Sequence, residues 1–208
     1  MDVSSARGLR ERKKQATRQA LSWAALRLAV QRGLDNVLVE DIAAAAGVSP
    51  RTFNNYFSSK AEAIAFRHLD RVEGIAAALR EQPAQTPLWT ALTDAALSRF
   101  GDADSVPDSA WMAGVRLVTS EPSLVAEFLK ANARGEQAVA MAVAARVGVD
   151  PRVDPYPHLV GGALGVCLRV AMAQWMQPDP PDPPASLGAL LRSAIEQVAA
   201  GLPDPTAR

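Results

Sequence analysis

Arg51, Thr52, Asn54, Asn55 and Tyr56 bring a guanidinium, a hydroxyl, two carboxamides and a phenol together in one short run. These groups make directional hydrogen bonds: arginine pairs with guanine edges, asparagine with adenine, and all of them reach phosphate oxygens. Phe53 and Phe57 stand four residues apart, so on a helix both face inward and leave the polar set on or near the outward side. Lys60 follows Ser58-Ser59, where one serine caps the next helix, and its ammonium is expected to meet a phosphate. Catalytic chemistry has no comparable set. His68 and His158 are the only histidines and lie in no metal-ligand spacing, and no GxSxG or phosphate-cradling glycine loop occurs. Cys167 sits among apolar neighbours, which disfavours its thiolate. No catalytic residue, metal or cofactor is expected.

The polar run needs a rigid mount, and the flanking residues supply one. Ile42, Ala43 and Ala46 recur at helical spacing, and the small alanines admit a close neighbour. Gly47 then allows a tight turn, Val48 plugs its corner, Ser49 caps a second helix, and Pro50 occupies that helix's first position. Two short helices hinged at Gly47 make a helix-turn-helix, with Ser49 and Pro50 joining the polar run and Lys60 as the expected DNA-facing set. An ordinary hairpin with a solvated polar face is the competing reading; the combined spacing of cap, turn and aromatic pair favours DNA.

The block VEDIAAAAGVSPRTFNNYFSSKAEAI, preceded by a basic helix ending at Arg32-Gly33, resembles the DNA-binding domain of the TetR family of bacterial transcriptional regulators. The resemblance implies an all-α fold: a three-helix DNA-binding domain, set here at residues 1–60, and a larger helical effector-binding and dimerisation domain at 61–208. Two positions depart from the family pattern. Leu38 stands where a capping Thr or Ser is usual, which predicts a looser helix start, and Asn54-Asn55 replaces a bulkier pair, which bears on operator preference.

The charge distribution agrees with a nucleic-acid partner. The chain has 208 residues and zero net charge, yet residues 1–70 carry 11 Lys or Arg against 7 acids and the remainder 11 against 15. Arg7, Arg10, Arg12, Lys13, Lys14 and Arg18 precede residue 20 and read as a flexible basic arm for phosphates or the minor groove. One cysteine excludes a disulfide framework and suits a cytoplasmic setting. The longest apolar stretch, Leu159 to Ala173, is read as short of a membrane span and interrupted by Arg169, so no membrane partner is expected.

Helical periodicity extends through the rest of the chain: about 9–32, 61–80, 88–100, 111–118, 124–147, 158–177 and 187–202, with a proline-rich spacer at 178–184. The last two helices carry broad apolar surfaces and Gly161, Gly162 and Gly165, which predicts a homodimer interface; burial within one subunit is the alternative. The segment from Trp111 to Trp175 resembles the mycofactocin-regulator-like branch, which implies an acyl-CoA-like ligand. Trp89, Trp111, Met112, Phe128, Met141, Met172 and Trp175 are the candidate apolar lining, with Arg116 or Arg169 meeting an acidic group. Arg169, inside an apolar helix, is expected to find a ligand or a structural ion pair. These features predict a regulator, a repressor released from a palindromic double-stranded operator by a small hydrophobic or amphipathic effector. A ligand-independent DNA-binding protein, activator or nonspecific binder, is the alternative.

Overall fold

A computed structural model describes residues 3–100, 114, 116–118, 120–177 and 186–204, with side chains from residue 10 onward. Eight helices with complete bounds follow one another among these residues, and no strand occurs. They are α1 Val3–Arg32, α2 Val39–Ala45, α3 Pro50–Tyr56, α4 Lys60–Glu81, α5 Leu88–Phe100, α6 Pro122–Val147, α7 Tyr156–Trp175 and α8 Leu187–Ala199. Helical residues also occur at Gly114, 116–118 and Ser120. The expected spacer at 178–184, the loop at 101–108, and Trp111 and Met112 lie outside the described residues.

The chain forms two compact units, residues 1–68 with 109–131 and residues 69–108 with 132–208. The division falls inside α4 after His68, whereas the domain reading of the sequence put it at the start of that helix. The first unit is built on a stripe of α1 at helical spacing: Leu21, Ala24, Ala25 and Leu28 are buried against Leu34, Val37, Ile42, Ala43, Phe53 and Phe57. Gly33, at φ +80, ends α1 in the left-handed region, and Asn36 Nδ2 donates to the Arg32 carbonyl at 2.8 Å to close the open end. The N-terminal segment differs from expectation. Residues from Val3 onward belong to α1, so the basic run is helical rather than a flexible arm; no proline intervenes to stop the helix propagating back from its packed half.

In the second unit Val72, Ile75 and Leu79 of α4 meet Leu92, Ala96 and Phe100 of α5, Val139 and Val143 of α6, and the buried faces of α7 and α8. Arg146 on α6 donates to the carbonyls of Gln82, Pro83 and Thr86 at 3.2, 2.6 and 2.7 Å, tying down the turn after α4. α7 is 20 residues long and holds an 18-residue window with a mean hydropathy of 1.2, so by length and composition alone it could cross a membrane, whereas its apolar stretch, read from sequence, is short of a span. Its Val160, Leu164, Cys167, Leu168 and Ala171 nevertheless form part of the unit's core.

The expectation for Arg169 changes, and Gly161 and α8 contribute to packing within the chain. Arg169 is exposed on the outward face of α7, so it is not a buried charge, and among the described residues no ion pair meets it. Gly161 serves α6 of the same chain: a Cβ there would come within 2.6 Å of the Glu136 carbonyl oxygen. α8 buries Leu187, Leu191 and Ile195 in its own unit and turns Arg192, Ser193, Glu196 and Gln197 outward. Gly201, at φ +82, stops it before Leu202, which is exposed.

Candidate nucleic-acid interface

The outward helix is positioned from below by aromatic packing. Phe53 and Phe57 are 0% and 2% exposed, with ring centroids 5.8 Å apart, and Phe66 of α4 packs at a tilt against Phe57 at 5.6 Å. The Arg18 guanidinium lies 4.1 Å from the Phe66 centroid and 5.4 Å from that of Phe57. Arg18 is therefore committed to aromatic faces beneath α3, a cation–π role that takes it out of the phosphate-facing charges.

The turn forms as the residue types require. Gly47 has φ +69, and the Ser49 hydroxyl accepts from the Thr52 backbone N–H at 3.2 Å, with Pro50 at the start of α3. The Ser49 and Thr52 hydroxyls also bond each other at 2.9 Å, so the two share the cap and stiffen the N-terminus of α3. Beyond them Arg51, Asn54 and Asn55 are exposed, while Tyr56 is half-buried against the core. Pro50 is exposed beside Arg51.

Lys60 has a different place from the one its sequence position predicts. Its ammonium is half-buried and donates to the carbonyls of Leu34 and Val37 at 2.8 and 2.6 Å. Two of its three donors thus tie α4 to the loop between α1 and α2, because that loop presents carbonyls with no helical partner. Capping at α4 follows Ser59-x-x-Glu62: Ser59 Oγ accepts from Glu62 N at 3.0 Å, and Ser58 donates through both N and Oγ to Glu62 Oε2 at 2.7 Å. The missing cap at Leu38 is offset in part. Asp41 Oδ2 accepts from Leu38 N at 3.1 Å and pairs with Arg32 at 3.6 Å, so the reciprocal half of a capping box holds the start of α2. Asp41, three residues after Leu38, carried that signal in its spacing alone.

Exposed Arg10, Arg12, Lys13 and Lys14 extend the cationic character along the first half of α1. Lys14 pairs with Glu11 at 3.7 Å, but both side chains are mostly exposed and such a pair contributes little. A rigid polar helix plus a separate cationic helix can combine base-edge contacts with phosphate contacts.

The candidate ligand residues are divided between the units. Arg116 and Phe128 belong to the first, where Arg116 is exposed and Phe128 stacks on His68 at 5.1 Å. His68 is half-buried in this stack. Trp89, Met172 and Trp175 belong to the second and pack as partly buried groups against its core, while Met141 is 45% exposed. His158 lies near the start of α7, its Nε2 3.0 Å from the Pro151 carbonyl.

Residues 23–64 match the model for bacterial regulatory proteins of the tetR family, and residues 86–203 match the MftR C-terminal domain. The HTH-type transcriptional regulator TcmR of Streptomyces glaucescens is 36% identical over 174 residues, spanning 81% of this chain and 76% of that protein. MftR of Mycobacterium tuberculosis, which carries the name of a mycofactocin biosynthesis transcriptional regulator, is 31% identical over 196 residues, spanning 92% and 93%. Crystal structures of TetR-family regulators from Mesorhizobium loti and Rhodococcus sp. align with TM-scores of 0.53 and 0.52. They cover 90% and 91% of this chain, and 97% and 100% of their own, at 17% and 16% identity, a likeness of fold.

Proposed function

The chain belongs to the TetR family of bacterial transcriptional regulators, which are not enzymes, and from that footing we propose that it is a dimeric, operator-specific repressor. It acts in the cytoplasm, where its DNA is, and leaves a near-palindromic operator when a hydrophobic or acyl-CoA-like effector occupies the C-terminal domain. The observation that carries the DNA reading is α3, where Arg51, Asn54 and Asn55 are exposed on a helix held from beneath by buried Phe53 and Phe57. Asn54 and Asn55 read base edges, Arg51 a base or phosphate, and the α1 cations supply salt-sensitive affinity.

Two-fold pairing has its support on α7. Leu159, Val166 and Val170 are 67%, 46% and 38% exposed along one side of that helix, an apolar stripe that a second copy would cover. A short recognition helix reads few bases, and two heads about 34–36 Å apart read both halves of a palindrome. For the effector, Trp89, Met172 and Trp175 remain the candidate apolar lining; the acyl-CoA-like class is carried over from the resemblance of the C-terminal segment. Preferential binding to a conformer unfit for DNA, with a coupling of about 1–3 kcal/mol, would lower operator affinity several-fold to a hundredfold.

Selection of binding sites from random duplexes at physiological salt tests the DNA reading. A recovered palindrome is the expected result. Equal recovery of all sequences would overturn operator specificity and leave a nonspecific binder acting through the α1 cations.

A further inference from the structure

Two arginines of the second unit stand apart from the others in how they are placed. Arg146 is satisfied by three carbonyls, and Arg152 by a bidentate pair with Asp150. Arg71 on α4 is half-buried with its guanidinium 4.9 Å from the centroid of the Phe100 ring, and Phe100 is itself buried. Among the described residues no hydrogen-bond acceptor meets its five N–H donors. Burial holds its pKa below the ordinary arginine value, with the Asp70 charge acting against that shift.

Arg99 lies beside Phe100 in sequence and is laid over Gly74, one helical turn from Arg71 on α4. A Cβ at position 74 would stand 2.8 Å from Arg99 Nε and 2.9 Å from its Cζ, so the glycine makes the cradle in which that guanidinium lies flat. Each guanidinium thus bridges α4 and α5, Arg71 half-buried over Phe100 and Arg99 exposed over Gly74. Partial desolvation of Arg71 is unfavourable, the Asp70 charge acts against it, and a bound oxyanion meeting the guanidinium would offset it further.

We propose that Arg71 and Arg99 form an oxyanion subsite on the α4–α5 seam that takes the carboxylate or phosphate head of an amphipathic effector, with Gly74 providing its floor. The planar forks suit either oxyanion and give bidentate geometry, and the aromatic face of Phe100 fixes one fork before the ligand arrives. This deepens the effector-binding reading and rests on it. It also moves the acidic-group contact from Arg116 and Arg169 to residues on the helix that leaves the DNA-binding unit.

The test is a titration of the full chain with acetate, inorganic phosphate, palmitate and palmitoyl methyl ester at constant ionic strength, following arginine side-chain N–H resonances by NMR. Saturable shifts of Arg71 and Arg99 with the anions are expected, with affinity reduced about tenfold or more in R71Q and in R99Q. R71K should recover part of the loss, and binding of the neutral ester should be equal in all variants. Preference for acetate and palmitate assigns a carboxylate head; preference for phosphate assigns a phosphate head. No saturable shift in the wild type, or equal anion affinity in folded R99Q, overturns the site. Operator release by palmitate that is undiminished in R71Q and R99Q overturns the subsite while leaving the effector reading in place. Anion binding at the seam without operator release by any amphiphile sinks the effector reading and upholds the subsite.

Discussion

Lys60 shows how one side chain's partners decide its role. Its ammonium reaches the Leu34 and Val37 carbonyls, so Lys60→Ala removes two charge-assisted hydrogen bonds and leaves both acceptors short. Urea unfolding is expected to show a loss of about 1–3 kcal/mol; unchanged stability with weaker DNA binding would return Lys60 to a phosphate role. Asn55, exposed on α3, has no such internal duty. Asn55→Ala should relax base preference at one position of each half-site, by about 1–3 kcal/mol of discrimination, with little change in affinity for random DNA. Competition binding against single-base operator variants reads this directly. Cys167 supplies a pH prediction: burial pushes its thiol up. The folded chain then keeps a proton that the unfolded chain gives up, so this contribution is full below the unfolded thiol pKa of about 8.5 and is lost as pH rises through the folded value. Stability should fall with alkaline pH more steeply in the wild type than in Cys167→Ala. Equal slopes would contradict it.

At the scale of elements, close approach is the controlling quantity. α6 and α7 meet at Gly161, where a methyl group would press on the Glu136 backbone oxygen. Gly161→Ala must part the two helices, and a loss of about 1–3 kcal/mol in thermal unfolding is expected. Gly162, with nothing near its absent Cβ, serves as the contrast within the isolated chain. The helices themselves were largely legible in the sequence. Leu88–Phe100 has the expected bounds, and α1, α4, α6, α7 and α8 shift only at their ends. Periodicity reports the buried stripe directly, and Gly47, Ser49 and Pro50 act through local backbone geometry. Helix ends are less legible because partners from elsewhere in the chain fix them, as Asp41 does for α2.

For the whole molecule, the proposed two-fold pairing makes a prediction about α7. Val166→Glu would place a carboxylate in the apolar stripe beside Leu159 and Val170, and it is expected to yield monomers and to weaken operator binding sharply. Sedimentation equilibrium and operator titration of the same preparation check it; a variant that remains dimeric would move the interface off this stripe. The sequence by itself determined the all-helical class, the helix-turn-helix and its outward polar residues, since these depend on near neighbours along the chain. Only the tertiary structure decided that Arg18 lies on Phe66, that Lys60 caps a loop more than twenty residues away, and that Arg169 is exposed. It alone placed Arg71 and Arg99 together on one seam. A charged side chain's role is fixed by which distant carbonyl, ring or solvent it meets, and residue type and spacing do not carry that choice.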